Sequence, residues 1–370
     1  EEQLLWSESY NYDKRNILNL YNRVIKDIAN EIHLPLSPEQ QTQLDMPRPV
    51  NPDAYELYLN GKFHMGFLTK ESQEAALDYF SRAIEIDPEY AEAYAGIAGA
   101  WGFLKQMDYV SPDEADTRIR EYMCKALELN TSSDEILYFN GIIKIWTDFN
   151  WDAGERSLQQ CLEINPNFSV ARAYYSHLMM LLKRPDEMRK QMKLALETDP
   201  KNPLIQVLEK VEIMVEAKYD SCINSTLLLQ KNMPNNPLIM LILFQCYTQT
   251  GENDLAISEL GKFFSQLTDK TVIQTLNRVY KNEGFKKALI AATDVWVELP
   301  DFASAQNAIM LYAYGGDTDK ALYWLEKAYI RRDAANPYIG VVNYTRPLHN
   351  EPRYIEIMHR MNLPLGNFHQ

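Results

Sequence analysis

The sequence predicts an all-α solenoid of about eight helix-turn-helix repeats, ended by a C-terminal capping helix. Three observations predict it. Pro166, Pro200 and Pro234 stand 34 residues apart, and a fixed period of this length marks stacked helical units. Each proline closes a run of similar texture: Leu162-Glu163-Ile164-Asn165-Pro166, then Leu196-Glu197-Thr198-Asp199-Pro200, then 229–234. Small residues recur at one position of the second helix, at Ala83, Ala126, Ala195 and Ala328, where two helices must approach closely. Neither short amphipathic helix of a unit can bury its apolar face alone, so neighbours stack into one continuous core. Proline suits the boundary because it has no N–H to donate and disfavours helix in the residue before it. Its fixed φ is tolerated at the start of the next unit.

Taken in order, residues 1–50 do not fit the repeat. Leu4-Leu5-Trp6-Ser7-Glu8-Ser9-Tyr10 reads as an extended lead or short strand. Ile17, Leu20, Val24, Ile28 and Ile32 form a helical stripe over 16–32, with Asn16 placed to cap it. Ser37-Pro38 opens a short polar helix, and 46–50 is a Pro-rich linker. Repeat one spans 53–88, with Ala76, Phe80, Ala83 and Ile84 on one face of its second helix and a turn about three residues longer than the rest. Repeat two opens with Ala91, Tyr94, Ile97, Ala98 and Trp101; roughly nine extra residues around 105–112 read as an inserted loop, a place where repeat proteins often bind. Repeats three to five keep the 34-residue spacing. Repeat six turns at Gly251-Glu252-Asn253-Asp254, repeat seven (269–300) at Gly284-Phe285, and repeat eight (302–333) at Gly315-Gly316-Asp317. The remainder, 334–370, is an extended segment and a last helix, expected to cover the apolar end of the stack.

The 34-residue unit resembles the tetratricopeptide repeat, which implies a right-handed superhelix whose first helices line a concave groove. The lead is more specific. Leu5-Trp6-Ser7-Glu8-Ser9-Tyr10, Asp13, the helix that follows and Leu36-Ser37-Pro38-Glu39-Gln40 resemble the end of a TolB-like module. That module precedes such repeats in bacterial signalling proteins, either CadC-like regulators with a winged-helix DNA-binding domain or nucleotide cyclases. The repeat opening at 51–61 and the closing stretches Pro347-Leu348-His349-Asn350-Glu351-Pro352 and Met361-Asn362-Leu363-Pro364 are similar to the same group. The resemblance implies domains at 1–50 (end of the upstream module, and linker), 51–333 (solenoid) and 334–370 (tail).

Composition narrows the function. The net charge of −14 argues against broad nucleic-acid binding, which needs clustered Lys and Arg to neutralise phosphates. Lys286-Lys287 and Arg331-Arg332 read as solvated helix ends. No stretch of 18 or more apolar residues suggests a membrane span. The start at Glu1 rather than Met suggests a piece or processed product of a longer chain. Cys124, Cys161, Cys222 and Cys246 form no CxxC pair and read as small hydrophobes. The glycosylation-type triplets at Asn130, Asn224 and Asn343 read as chance occurrences. Localisation is expected to follow the parent protein, periplasmic for a membrane-spanning regulator and cytoplasmic for a soluble one.

No catalytic motif is present: no phosphate-cradling Gly-rich loop, no HExxH and no GxSxG. No cofactor or metal is expected, and the chain is expected not to be an enzyme. The informative surface is the groove. Counted from the prolines, its positions are Ile136, Phe139, Ile143 and Trp146 in repeat three, Val170, Ala173, His177 and Met180 in repeat four, and Leu204, Val207, Val211 and Met214 in repeat five. An apolar stripe of this kind marks either a binding surface for a protein or peptide or a groove filled by the chain's own N-terminal helix. Tetratricopeptide domains that grip C-terminal carboxylates resemble one another in a Lys and Asn pair on the first helix; repeats three to six lack it. The expectation is a non-catalytic protein-interaction or sensory module, from a transcriptional regulator. The alternatives are the regulatory or oligomerisation arm of a nucleotide cyclase, or an assembly scaffold that pairs with a second copy of itself.

Overall fold

A computed structural model describes residues 17–31, 51–67, 69–107, 109–267, 269–299, 305–333, 336–366 and 368. The expected strand at 4–10, the short helix after Ser37 and the linker at 46–50 lie outside the described residues. All regular structure among the described residues is helical. Helix α1 spans Ile17–Glu31, matching the apolar stripe read there.

The solenoid follows as eight hairpins among the described residues. They are α2 (Pro52–Met65) with α3 (Lys70–Ile86), α4 (Ala91–Gln106) with α5 (Pro112–Leu129), and α6 (Asp134–Trp146) with α7 (Trp151–Ile164). Then come α8 (Ser169–Leu181) with α9 (Pro185–Thr198), α10 (Pro203–Val215) with α11 (Tyr219–Asn232), and α12 (Pro237–Thr250) with α13 (Asn253–Phe264). The last two are α14 (Thr271–Glu283) with α15 (Phe285–Trp296), and α16 (Ala305–Gly315) with α17 (Thr318–Arg331). The architecture is an all-α, right-handed tetratricopeptide-type solenoid.

Local chemistry sets these boundaries. Asn51, Asn202 and Asn236 each precede a proline at the first helical turn, and each side chain accepts from a backbone N–H of that turn, satisfying donors the helix cannot. The turns inside the hairpins repeat as well. Phe149, Lys183, Ala217 and Gly251 stand 34 residues apart, and all four are left-handed, with φ of 54°, 56°, 58° and 82°. After three of them the next N–H returns to the helix: Arg184 N to Met179 O, Lys218 N to Ile213 O and Glu252 N to Tyr247 O, a closure of the Schellman type. Ala83, Ala126, Ala195 and Ala328 are completely buried, as close helix approach demands.

The reading of 105–112 as an inserted loop is corrected. Most of the extra length is helix: α4 runs on to Gln106 and α5 is 18 residues long, begun by Ser111 as N-cap and Pro112 in its first turn. Lys105 is buried on this extension and ion-paired to Asp116 at 2.6 Å.

The tail consists of two 3-10 helices, Asn336–Gly340 and Asn343–Leu348, and α18 (Pro352–Arg360). Arg353 holds α18 to α17 through both oxygens of Glu326, at 2.6 and 2.8 Å. The tail also reaches back across the superhelix. The Trp151 indole donates to Met361 O at 2.7 Å, and Lys183 Nζ donates to Gly366 O at 2.5 Å. Ile339, Val342, Tyr344, Ile357 and Met361 are buried in the same core as repeats three to eight.

Candidate binding groove

Two regions of the concave face differ. Toward the N-terminal repeats, the inner faces of α2, α4, α6, α8 and α10 enclose a cavity of about 290 Å³. Its wall includes an aromatic cluster in which Tyr138 packs against Phe139, Phe168 and Tyr174, with centroids at 4.8, 5.1 and 6.0 Å. Trp146 meets Tyr174 edge-on at 5.2 Å. The Phe139 ring lies on the bare backbone of Gly99, where a Cβ would come within 2.2 Å of it. Gly102, one turn along α4, also lines the cavity, and a Cβ there would meet nothing within 4 Å.

The polar groups of the cavity are few. Lys62 Nζ lies 2.6 Å from Glu135 Oε1. Burial pushes the Glu135 carboxyl up to about 7. Desolvation pulls the Lys62 ammonium below the ordinary lysine range, against the opposing attraction of Asp134 and Glu92. Lys62 keeps 45% of its side-chain surface, so solvent screens the pair and its net contribution to stability is small. Two buried oxygens lining the cavity, Tyr58 Oη and Gln73 Oε1, have no hydrogen-bond partner among the described residues. Gln73 Nε2 donates to Met65 O at 3.0 Å, which fixes the orientation of that amide.

Further along, at α8 and α10, the groove is occupied by the tail. Tyr338 packs toward Trp146 and reaches His177, Oη to Nδ1 at 2.9 Å. His177 Nε2 lies 3.0 Å from Leu208 O. A carbonyl only accepts, so the proton sits on Nε2 and Nδ1 accepts from the Tyr338 hydroxyl. Burial holds His177 down at about 4 and so keeps the imidazole neutral. Asn343 Nδ2 donates to Met214 O at 3.2 Å and to Tyr219 Oη at 2.7 Å.

Beneath this contact, Ser176 Oγ lies 2.6 Å from Met188 O and 2.5 Å from Glu212 Oε1. One hydroxyl proton cannot serve both acceptors. A protonated Glu212, raised to about 8 by burial, resolves this by donating to Ser176. With His177 neutral and Glu212 protonated, their 4.0 Å approach is not an ion pair.

Of the groove positions named from sequence, Phe139, Ile143, Trp146, Val170 and Leu204 line the cavity. Ile136, Ala173, His177, Met180, Val207 and Met214 are buried, and Val211 is partly buried against the same core. Sequence reasoning missed Tyr58, Lys62, Gln73 and Glu135. The 34-residue period is weakest in repeats one and two, so no proline there placed the groove positions. The available signal was Tyr58 and Lys62 at i and i+4 on the first helix of repeat one, and Gln73 on a face otherwise occupied by small and apolar residues. Among the described residues no group of three or more His, Cys, Asp or Glu is placed to hold a metal. No helix among them is long and apolar enough to cross a membrane.

No family model matches the chain. Over 111 residues it is 25% identical to "Putative adenylate cyclase 3" of Rhizobium meliloti (strain 1021), a match covering 30% of this chain and 19% of that protein. The chain therefore spans about a fifth of that relative's length. Among solved structures it is similar to the human IFIT1 dimer with PPP-AAAA, with a TM-score of 0.50, 16% identity, and coverage of 93% of this chain and 78% of that one. It is also similar to yeast Tom70, with a TM-score of 0.42, 15% identity, and coverage of 83% and 67%. A tetratricopeptide repeat protein from Parabacteroides merdae ATCC 43184 gives a TM-score of 0.39 at 15% identity, over 72% and 93%. At these identities the likeness is one of fold.

Proposed function

We propose that this chain is a non-catalytic protein-interaction module of a bacterial signalling protein, a transcriptional regulator, and that it captures a peptide segment of its partner in the open part of the concave groove. The observation that carries this is the cavity of about 290 Å³ on the first helices of repeats one to five, next to a stretch of the same groove that the chain's own tail occupies. Aromatic and aliphatic walls with a few fixed polar groups are the usual construction of a binding pocket. Phe139, Ile143, Trp146, Val170 and Leu204 contribute its apolar contacts.

The test is selection from a random peptide library on the intact chain, with counter-selection on Gly102→Leu. The leucine enters open space on α4, so it blocks the cavity without displacing a neighbour, and it raises helix propensity. Peptides should enrich on the parent chain and lose at least tenfold in affinity on the variant. Equal binding to both proteins would refute the groove as the site.

A second context, the regulatory arm of a nucleotide cyclase, is favoured by the 111-residue similarity to the Rhizobium meliloti protein. The gene upstream of Glu1 decides between the two: a winged-helix domain supports the regulator, a cyclase catalytic domain the alternative. An assembly scaffold would instead pair with a second copy, and light scattering over a dilution series should then show a dimer dissociating.

A further inference from the structure

We propose that the cavity selects a peptide segment in which a basic side chain neighbours an apolar one: the apolar side chain fills the aromatic-walled space and the cation sits at its acidic rim. This rests on the peptide-groove reading above and adds the chemistry of the ligand.

Three features of the site support it. The first is charge. Lys62 and Glu135 are the charged side chains that line the cavity, and they pair at 2.6 Å. Asp134 and Glu92 also act on the Lys62 ammonium, so three carboxylates face one lysine and the rim carries an excess of negative charge. The whole chain, at −14, reinforces attraction of a cation. An acidic peptide would meet the opposite field.

The second is an unmet acceptor. Gln73 is completely buried and its Oε1 has no partner among the described residues. Its amide cannot turn over without giving up the bond from Nε2 to Met65 O. A carbonyl oxygen held in this way calls for a donor, and a peptide N–H or an ammonium supplies one; a carboxylate or ether does not.

The third is continuity with a polypeptide already in place. Trp146 belongs to the cavity wall and also lies beside Tyr338 of the tail, with centroids 6.5 Å apart. The tail's entry there combines an aromatic ring with side-chain donors, Tyr338 to His177 and Asn343 to Met214 O. The empty part of the groove presents the same pairing of aromatic walls and acceptors, with negative charge added.

The experiment uses the full chain and four capped, fluorescein-labelled hexapeptides in anisotropy titrations at low and at moderate salt. One alternates phenylalanine and lysine. In the second, glutamate replaces lysine; in the third, serine replaces lysine; in the fourth, serine replaces phenylalanine. Free 4-phenylbutylamine serves as a competitor. The Phe/Lys peptide should bind at least tenfold more tightly than the other three, with the advantage shrinking as salt rises. Gly102→Leu should weaken it at least tenfold. Glu135→Gln should cut the lysine-over-serine preference at least threefold while leaving the Phe/Ser peptide unchanged.

If the Phe/Glu or Phe/Ser peptide binds as tightly and Gly102→Leu still abolishes binding, the groove stands and the basic preference is overturned. Equal binding of the Ser/Lys peptide would show surface charge attraction alone and overturn it too. If the free amine competes at the affinity of the peptide, the site is one for small amines and the peptide assignment falls. Absence of binding by every peptide at millimolar concentration would overturn both this inference and the peptide-groove reading.

Discussion

Four turn residues spaced 34 apart share one left-handed conformation, yet only Gly251 is the residue type that adopts it without strain. Phe149, Lys183 and Ala217 hold it against the Cβ penalty because the returning N–H bonds and the packing of both helices over-determine the turn. Ala217→Gly should therefore stabilise the chain by about 1 kcal/mol, read as a higher midpoint in urea unfolding. The buried Glu212 makes a pH prediction. Its folded value of about 8 lies above the ordinary 4.5, so its contribution is complete below pH 4.5 and is lost as pH rises through 8. His177 has the opposite sign: held at about 4 against an ordinary 6.5, it contributes fully above pH 6.5 and loses that as pH falls through 4. Between pH 5 and 9 stability should decline through Glu212 by a few kcal/mol, at about 1.4 kcal/mol per pKa unit. Glu212→Gln should flatten that slope in urea titrations repeated across pH; an unchanged slope would place the titration elsewhere.

At the scale of elements, extra length behaves differently in helices and in turns. The additional residues of repeat two lengthen α4 and α5, because Ser111 and Pro112 restart a helix at once and Lys105 gains Asp116 as a partner. A sequence count gives the number of extra residues but not which neighbour will bury them. The 3-10 helix Asn336–Gly340 is held in the groove by one buried side-chain bond, Tyr338 to His177. Removing the hydroxyl with Tyr338→Phe leaves Nδ1 of a buried neutral imidazole without a donor and should cost about 1–3 kcal/mol locally. Hydrogen exchange should show faster exchange over 336–348 with little change in α14 or α15. Equal protection in both proteins would mean that apolar packing alone holds the segment.

For the whole molecule, the tail joins the last repeat to repeats three and four through Trp151 to Met361 and Lys183 to Gly366. An open tetratricopeptide stack is held by nearest-neighbour contacts, so its repeats can unfold from an end. Contacts separated by about 180 to 210 residues couple distant repeats. A chain truncated after Asp333 should thus lose the single unfolding transition of the parent and unfold in at least two steps in calorimetry. Its uncovered apolar groove should also bring association that light scattering detects. A truncated chain that stayed monomeric and unfolded in one step would show the tail to be dispensable.

The sequence by itself determined the class of fold, because the 34-residue recurrence of proline, small residue and amphipathic helix is a local property that each repeat carries within itself. It also placed Phe139, Ile143, Trp146, Val170 and Leu204 on the groove side, since helical period and proline register fix which face a residue occupies. What it left open was whether the groove is vacant or filled. Tertiary structure decided that: residues 336–348, read from sequence as part of an end cap, lie in the groove at His177 and Met214. Lys62 and Glu135, 73 residues apart, meet in the cavity, as do Gln73 and Tyr138. No periodicity encodes such meetings. They follow from superhelical curvature, the sum of small rotations between neighbouring hairpins, which brings far-separated repeats onto one surface.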